Sequence, residues 1–191
     1  QACVSSEFRY ADPLLDDKNL VVLITQSGET ADTLAALREA KKRKAFTLAI
    51  VNVVGSTIAR EADAVIYTHA GPEIGVASTK AYTAQLITLV LFALFLAGLR
   101  RKEIERDFKN QPAQERQRWN ESLERIRDQI PQLPQKTLRV LKLEKTIEKC
   151  ARHYLECKNF LYLGRGYNYP NALEGALKLN EITYAPAHGY P

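Results

Sequence analysis

Hydroxyl and amide side chains crowd the turn Thr25-Gln26-Ser27-Gly28-Glu29-Thr30, directly after the apolar run Leu20-Val21-Val22-Leu23-Ile24 and ahead of a helical pattern beginning at Ala31. That order builds an anion site. The free N–H groups of a helix's first turn and its positive dipole end face an incoming anion, while Thr25, Gln26, Ser27 and Thr30 supply further donors. A phosphate fits this chemistry, at the carboxyl end of a strand where open α/β sheets place their ligands. The alternative, in which Ser27 or Thr30 only caps the helix, needs a single oxygen and stays open at this point. No lysine follows Gly28 and the Gly-Lys-Ser/Thr ending of a Walker loop is absent, which favours a phosphorylated small molecule over a nucleoside triphosphate.

A second set of reactive types is Glu174, Lys178 and Glu181, spaced i, i+4 and i+7 so that all three share one helical face. By spacing alone the favoured reading is a surface salt bridge of about 0.3–0.5 kcal/mol. Leu173, Ala176 and Leu177 are expected to pack inward and leave the charged row at a rim or in a cleft. Cys150, His153 and Cys157 also repeat at helical spacing. Three ligands from one rigid helix do not converge tetrahedrally, so they are read as residues of a buried amphipathic face and no metal site is expected.

The elements that must position these groups have an α/β rhythm. Strands are expected near 20–25, 46–53 and 64–68, with helices over 31–43 and 56–62 between them, as in a parallel sheet with crossover helices. A long helix is expected over 78–99. Its greasiest part, 86–99, falls short of a bilayer span and reads as a buried core helix. Trp119, Leu123, Ile126 and Ile130 then recur at helical spacing between Pro112 and the pair Pro131 and Pro134, and these prolines mark an inter-lobe boundary. A helix over 137–156, a strand over 160–163, the turn Gly164-Arg165-Gly166 and a helix opened by Pro170 complete the chain. Strand, glycine turn and helix thus occur twice, as two related half-units. The short Gly-x-Gly is a weak dinucleotide signal, because the third glycine is missing.

Composition narrows the classes. The 191 residues, 46% of them hydrophobic, can build a substantial core in one or two domains. The net charge of +5 comes from 27 basic and 22 acidic residues spread along the chain, too mixed to imply nucleic acid. The sharpest basic run, Lys41-Lys42-Arg43-Lys44, complements the dipole at a helix end. Three cysteines do not make a disulfide framework, and no targeting peptide leads the chain, so a reducing cytoplasm without membrane attachment is expected.

The motifs Gln26-Ser27-Gly28-Glu29-Thr30-Ala31-Asp32-Thr33-Leu34, Asn52-Val53-Val54-Gly55-Ser56 and Glu73-Ile74-Gly75-Val76-Ala77-Ser78-Thr79-Lys80-Ala81 resemble the isomerase half of the glutamine–fructose-6-phosphate aminotransferase family. Leu163-Gly164-Arg165-Gly166, Tyr169-Pro170 and the stretch from Ala172 to Leu179 followed by Glu181-Ile182 resemble the start of that family's second sugar-isomerase (SIS) unit. The resemblance runs through nearly the whole chain in order. It implies a three-layer αβα fold of flavodoxin-like SIS type with a parallel sheet. Residues 1–110 would form a first unit lacking its first strand, 111–136 a helical connector and 137–191 the start of a second unit.

The same resemblance implies the conversion of fructose 6-phosphate and ammonia to glucosamine 6-phosphate in amino-sugar biosynthesis, with no cofactor and in a homodimer. Glu181 would be the proton carrier and Lys178 its catalytic companion. Thr25, Gln26, Ser27 and Thr30 would hold the phosphate. Val76, through its backbone, and Ser78 would approach the sugar, although Ser78 equally suits a helix N-cap. Glu73 and Lys80 are expected to be structural, and His69 a strand-end residue. The family's Cys-Gly-Thr-Ser loop, its Gly-Glu-Leu-Lys-His-Gly-Pro segment and its carboxyl-terminal lysine have no match. Impaired turnover, a non-catalytic sugar-phosphate-binding module or a scaffold are therefore the alternatives.

Overall fold

In the computed structural model, which describes residues 1–191 with the side chain of Asn110 excepted, the apolar runs become strands of a parallel sheet. They are β1 (Leu20–Thr25), β2 (Phe46–Val51) and β3 (Ala64–Tyr67), in the order β1-β2-β3. The register pairs Leu23 with Ala49, Thr25 with Val51 and Val51 with Tyr67. β2 is central and buried from Thr47 to Val51, which is why it lacks the polar alternation of a one-sided strand. After the short α1 (Ser5–Phe8), the crossovers are α2 (Ala31–Lys42) and α3 (Thr57–Glu61). Leu37 and Ile58 are fully buried and pack with Leu23, Ala36 and Ala49 as the core of this unit.

The chain divides into two compact units, Gln1–Ala93 and Leu94–Pro191. In the second, α5 (Arg101–Asp107), α6 (Ala113–Gln129), α7 (Leu133–Leu141) and α8 (Glu144–His153) precede β4 (Phe160–Leu163), α9 (Tyr169–Thr183) and β5 (Ala187–Tyr190). β4 and β5 pair in parallel with α9 as their crossover, a βαβ unit. The strand over 160–163 and the helix opened by Pro170 match expectation, whereas β5 does not arise from the sequence pattern. Its tetrapeptide has no β-branched residue. Asn180 pins it instead, its Nδ2 donating to the Ala187 carbonyl at 3.0 Å and its Oδ1 accepting from the Ala187 N–H at 2.8 Å.

Five expectations need correction. The helix expected over 137–156 is two helices that break at Lys142 and Leu143, where the Leu143 N–H turns back to the Val140 carbonyl in a 3₁₀ step at 2.9 Å. Pro134 opens α7, as suits a residue without an N–H, and so does not separate elements. Cys157 lies beyond the end of α8, and all three cysteines are exposed, so the buried face proposed for Cys150, His153 and Cys157 does not form.

The long helix, α4 (Lys80–Leu99), begins two residues later than expected and is not a buried core helix, since Ala81 is its one buried residue. At 20 residues it is long and apolar enough to cross a membrane, because it extends back through Tyr82 and Thr83 beyond the apolar run. On α9 the inward residues are Ala172 and Ala176, with Leu173 and Leu177 exposed. Small residues bring that helix close to its strands, and a Cβ at Gly175 would lie 2.8 Å from the Tyr162 ring.

Candidate functional site

The anion turn sits at the carboxyl end of β1. Thr25 is buried, and its Oγ1 accepts the Gly28 N–H at 3.2 Å, which braces the turn and leaves the hydroxyl proton to donate elsewhere. Gln26 and Ser27 are half-buried and Thr30 is exposed. Ser27 Oγ accepts from the Glu29 N–H at 3.2 Å. Thr30 occupies the N-cap position of α2 in an extended conformation, yet its side chain makes no cap hydrogen bond. The capping alternative is therefore not realised by Ser27 or Thr30, and the first turn of α2 keeps its donors directed out of the helix end.

A second loop clamps this turn from below. The Gln26 carbonyl accepts from the Asn52 and Val53 N–H groups at 3.2 and 3.3 Å, and the Gly28 carbonyl from the Ile58 N–H at 3.1 Å. Glu29 would be a misplaced charge beside an anion. Its Oε1 instead accepts the Thr57 N–H at 2.7 Å, and that backbone bond is the main cause holding its carboxyl below the usual range. Gly28 takes φ +69° with Ser56 packed against its Cα, so a side chain has neither the backbone conformation nor the room.

Asn52 and Glu73 organise the loop after β3. The Asn52 amide accepts from Thr68 Oγ1 at 3.1 Å and the Ala70 N–H at 2.8 Å, and donates to the Gly71 carbonyl at 2.7 Å. The Glu73 carboxylate gathers the Thr79 and Ala81 N–H groups and the Thr79 hydroxyl at 2.9–3.2 Å. Ser78 is thus not the N-cap of α4; its Oγ lies 3.5 Å from Glu73, and the helix begins at Lys80. Val76 is fully exposed at the loop tip. Asn52 is not legible as an organiser, because its partners lie 16 to 19 residues away, whereas the structural role expected of Glu73 is the one it plays, on donors six and eight residues along the chain.

In the second unit, Lys178 and Glu181 lie on α9 as the spacing requires. Lys178 Nζ is 2.6 Å from Glu181 Oε2 and 3.4 Å from Glu174 Oε1, with the lysine side chain 22% exposed. Burial is the largest influence on Lys178 and pushes its pKa down, but the two carboxylates together outweigh it and hold the lysine above its ordinary value. It is therefore an ammonium at neutral pH, able to stabilise developing negative charge and unable to accept a proton. Two members of the basic run at the end of α2 are paired internally, while Lys42 stays 79% exposed and only 3.9 Å from Glu39. Lys41 donates to Asp63 at 2.9 Å, and Arg43 to Glu39 at 2.7 Å and to Asp12.

A concave surface in the second unit, between α5 and α6, is floored by Phe108 and Trp119 and rimmed by Glu105, Glu121 and Glu124 against Arg116. Its acidic excess suits a phosphate poorly. Among the described residues, no group of His, Cys, Asp or Glu is arranged to hold a metal ion.

Comparison with known proteins gives a consistent result. The SIS domain family matches residues 4–95. The glutamine–fructose-6-phosphate aminotransferase (isomerizing) of Aquifex aeolicus is 50% identical over 187 residues, which cover 98% of this chain and 28% of that protein. The chain thus spans somewhat over a quarter of the length of the curated relatives it matches. Among solved structures, the C-terminal domain of glucosamine-fructose-6-phosphate aminotransferase from Francisella tularensis superposes with a TM-score of 0.77 at 41% identity, covering 98% of this chain and 49% of that one. Glucosamine-6-phosphate deaminase from Thermotoga maritima, with a TM-score of 0.69 at 22% identity, shares the fold.

Proposed function

We propose, from the match of residues 4–95 to the SIS domain family and from the αβα fold shared with the Francisella domain, that the 25–30 turn binds the phosphate of a hexose 6-phosphate. The observation that carries this reading is the donor set at the end of β1, where Thr30 leaves the α2 N-terminus uncapped by its side chain and Glu29 is turned away to Thr57. Two of the relatives above carry fructose-6-phosphate in their names, and the substrate is read accordingly as fructose 6-phosphate with glucosamine 6-phosphate as product.

The residues support a chemistry of proton movement. Ammonia adds at C2 of the open ketose and water leaves; removal of a C1 proton gives an enolamine, and protonation at C2 gives the amino-aldose. Glu181 is the base that moves the proton. Lys178, being cationic, stabilises charge that develops on the sugar oxygens, so it takes the polarising role and not that of a second base. Phosphate binding by Thr25, Gln26, Ser27 and Thr30 holds the reacting carbons with binding energy remote from the chemistry. Val76 and Ser78 complete the sugar contacts. Each step is an addition, an elimination or a proton transfer that acid and base groups can carry, and we assign no cofactor.

We assign residues 1–110 to a first SIS unit, 111–136 to a connector and 137–191 to the start of a second. We read the chain as part of a cytoplasmic homodimer without nucleic-acid or membrane partners; Lys41 and Arg43 of its sharpest basic run are paired with Asp63 and Glu39. α4 is read as part of the folded domain, because the Francisella domain matches 98% of the chain, this helix included. The ion pairs around Lys178 favour a second reading, in which Glu174 and Glu181 are structural and the chain binds sugar phosphate without turning it over. Calorimetry with fructose 6-phosphate, glucosamine 6-phosphate and inorganic phosphate tests the binding reading. Equal or absent affinity for all three overturns it.

A further inference from the structure

We propose that Glu73 is a positioning residue that closes the 73–81 loop into a fixed ring and thereby sets discrimination between a hexose phosphate and bare phosphate, an inference that rests on the sugar-phosphate reading. The loop has little else to hold it. Ile74 and Val76 at its tip are 91% and 100% exposed, and Gly75 between them adds backbone freedom. Ala77 and Ser78 are half-buried, and the Glu73 side chain is only 8% exposed.

Its carboxylate does the work that a local N-cap would do for α4. Oε2 accepts the Ala81 N–H at 2.9 Å and the Thr79 N–H at 3.2 Å, Oε1 accepts the Thr79 hydroxyl at 3.1 Å, and Lys80 Nζ lies 3.9 Å away. Donors from the far end of the loop thus converge on one side chain at its near end. This fixes the path of the chain through Val76 to Ser78, whose Oγ also reaches Glu73 at 3.5 Å. The backbone bond from Ala81 is the main cause holding the Glu73 carboxyl below its usual range, so it stays a carboxylate throughout the neutral region.

Glu73 has no part in the 25–30 turn, so its loss should separate sugar recognition from phosphate recognition. Calorimetry on the 191-residue chain would give the ratio of affinities for fructose 6-phosphate and inorganic phosphate in wild type, Glu73→Gln and Glu73→Ala. The ratio should fall about tenfold in Glu73→Ala, and by a smaller factor in Glu73→Gln, which keeps one acceptor oxygen, while phosphate affinity stays within twofold. Backbone exchange at Thr79 and Ala81 should quicken in the same order. A purely structural role would weaken both ligands alike, and an unchanged ratio in Glu73→Ala overturns the inference. Wild-type chain that binds phosphate with no preference for the sugar overturns the functional reading instead.

Discussion

Ser56 packs directly onto the Cα of Gly28, so that a Cβ there would lie 2.6 Å from Ser56 Cβ and 2.9 Å from Val51 Cγ2. The contact joins the two loops that emerge from adjacent strands and sets the height of the anion turn. Gly28→Ala should therefore destabilise the chain by about 2–4 kcal/mol, combining a left-handed conformation at φ +69° with overpacking. Urea unfolding measures this. Ser56→Gly in the same background should recover part of the loss, because it removes the nearest clash and leaves the backbone strain. Ser56→Ala alone should cost little, since its buried hydroxyl has no hydrogen-bond partner to lose.

Ser27 and Thr30 place hydroxyls at the mouth of the same turn, and the Thr30 side chain makes no cap hydrogen bond. Replacing both with alanine should weaken hexose 6-phosphate binding by about 2 kcal/mol, at roughly 1 kcal/mol for each bond to a charged acceptor. The loss is about 30-fold in affinity by calorimetry. Inorganic phosphate should weaken in parallel, because the contact is to phosphate and not to sugar. Unchanged affinity would mean that the two hydroxyls serve only the local turn.

The parts of this arrangement that follow short-range rules were legible in the sequence. β1, β2 and β3 are mostly apolar runs rich in β-branched residues and bounded by polar turns, and the row of Glu174, Lys178 and Glu181 follows from helical spacing. What escaped depends mostly on neighbours distant in sequence. The composition of α4 is that of a buried helix, but among the described residues little covers it. Leu173, Ala176 and Leu177 read as inward-facing by spacing, yet only Ala176 of the three is buried, together with Ala172, while Leu173 lies against Gly189 of β5 with nearly half its surface exposed. Ser78 has the residue type of a cap, but the carboxylate that gathers the Thr79 and Ala81 N–H groups is that of Glu73, a local exchange of roles that residue type alone does not decide. Glu29, an awkward acid in an anion turn, became intelligible through its bond to Thr57.

Asp63 ties the start of β2 to the end of α2. Its carboxylate accepts from the Thr47 N–H at 2.9 Å and the Thr47 hydroxyl at 2.6 Å, and pairs with Lys41 at 2.9 Å. The Thr47 hydroxyl is the largest cause of a pKa lowered from 3.8 to about 2. A depressed carboxylate contributes stability that is fully present above its unfolded value and lost as pH falls through the folded one. The loss therefore belongs between about pH 4 and pH 2. With the side chain 32% exposed, solvent screening leaves about 1 kcal/mol. Asp63→Asn should lower stability by that amount at neutral pH and flatten its dependence on pH in the acid window, as measured by unfolding at a series of pH values. An equally steep acid limb in the variant would assign the effect to other carboxylates.

Glu181 accepts from a lysine that is already charged, and this shapes what its substitution should do. Glu181→Gln keeps the size of the side chain and one acceptor oxygen for Lys178, but it removes the group that can take a proton. The phosphate donors lie elsewhere, so hexose 6-phosphate affinity should stay within about twofold, below the worth of one ordinary hydrogen bond. Exchange of the C2 hydrogen of glucosamine 6-phosphate with deuterated water should slow by about 100-fold or more, the usual contribution of a positioned general base. The comparison is best made both in this chain and in the Aquifex relative carrying the equivalent change. Loss of affinity together with exchange would point to a binding role. Exchange as fast as in the parent would leave Glu181 as one arm of the ion pair with Lys178, and the proton carrier would then have to be another residue.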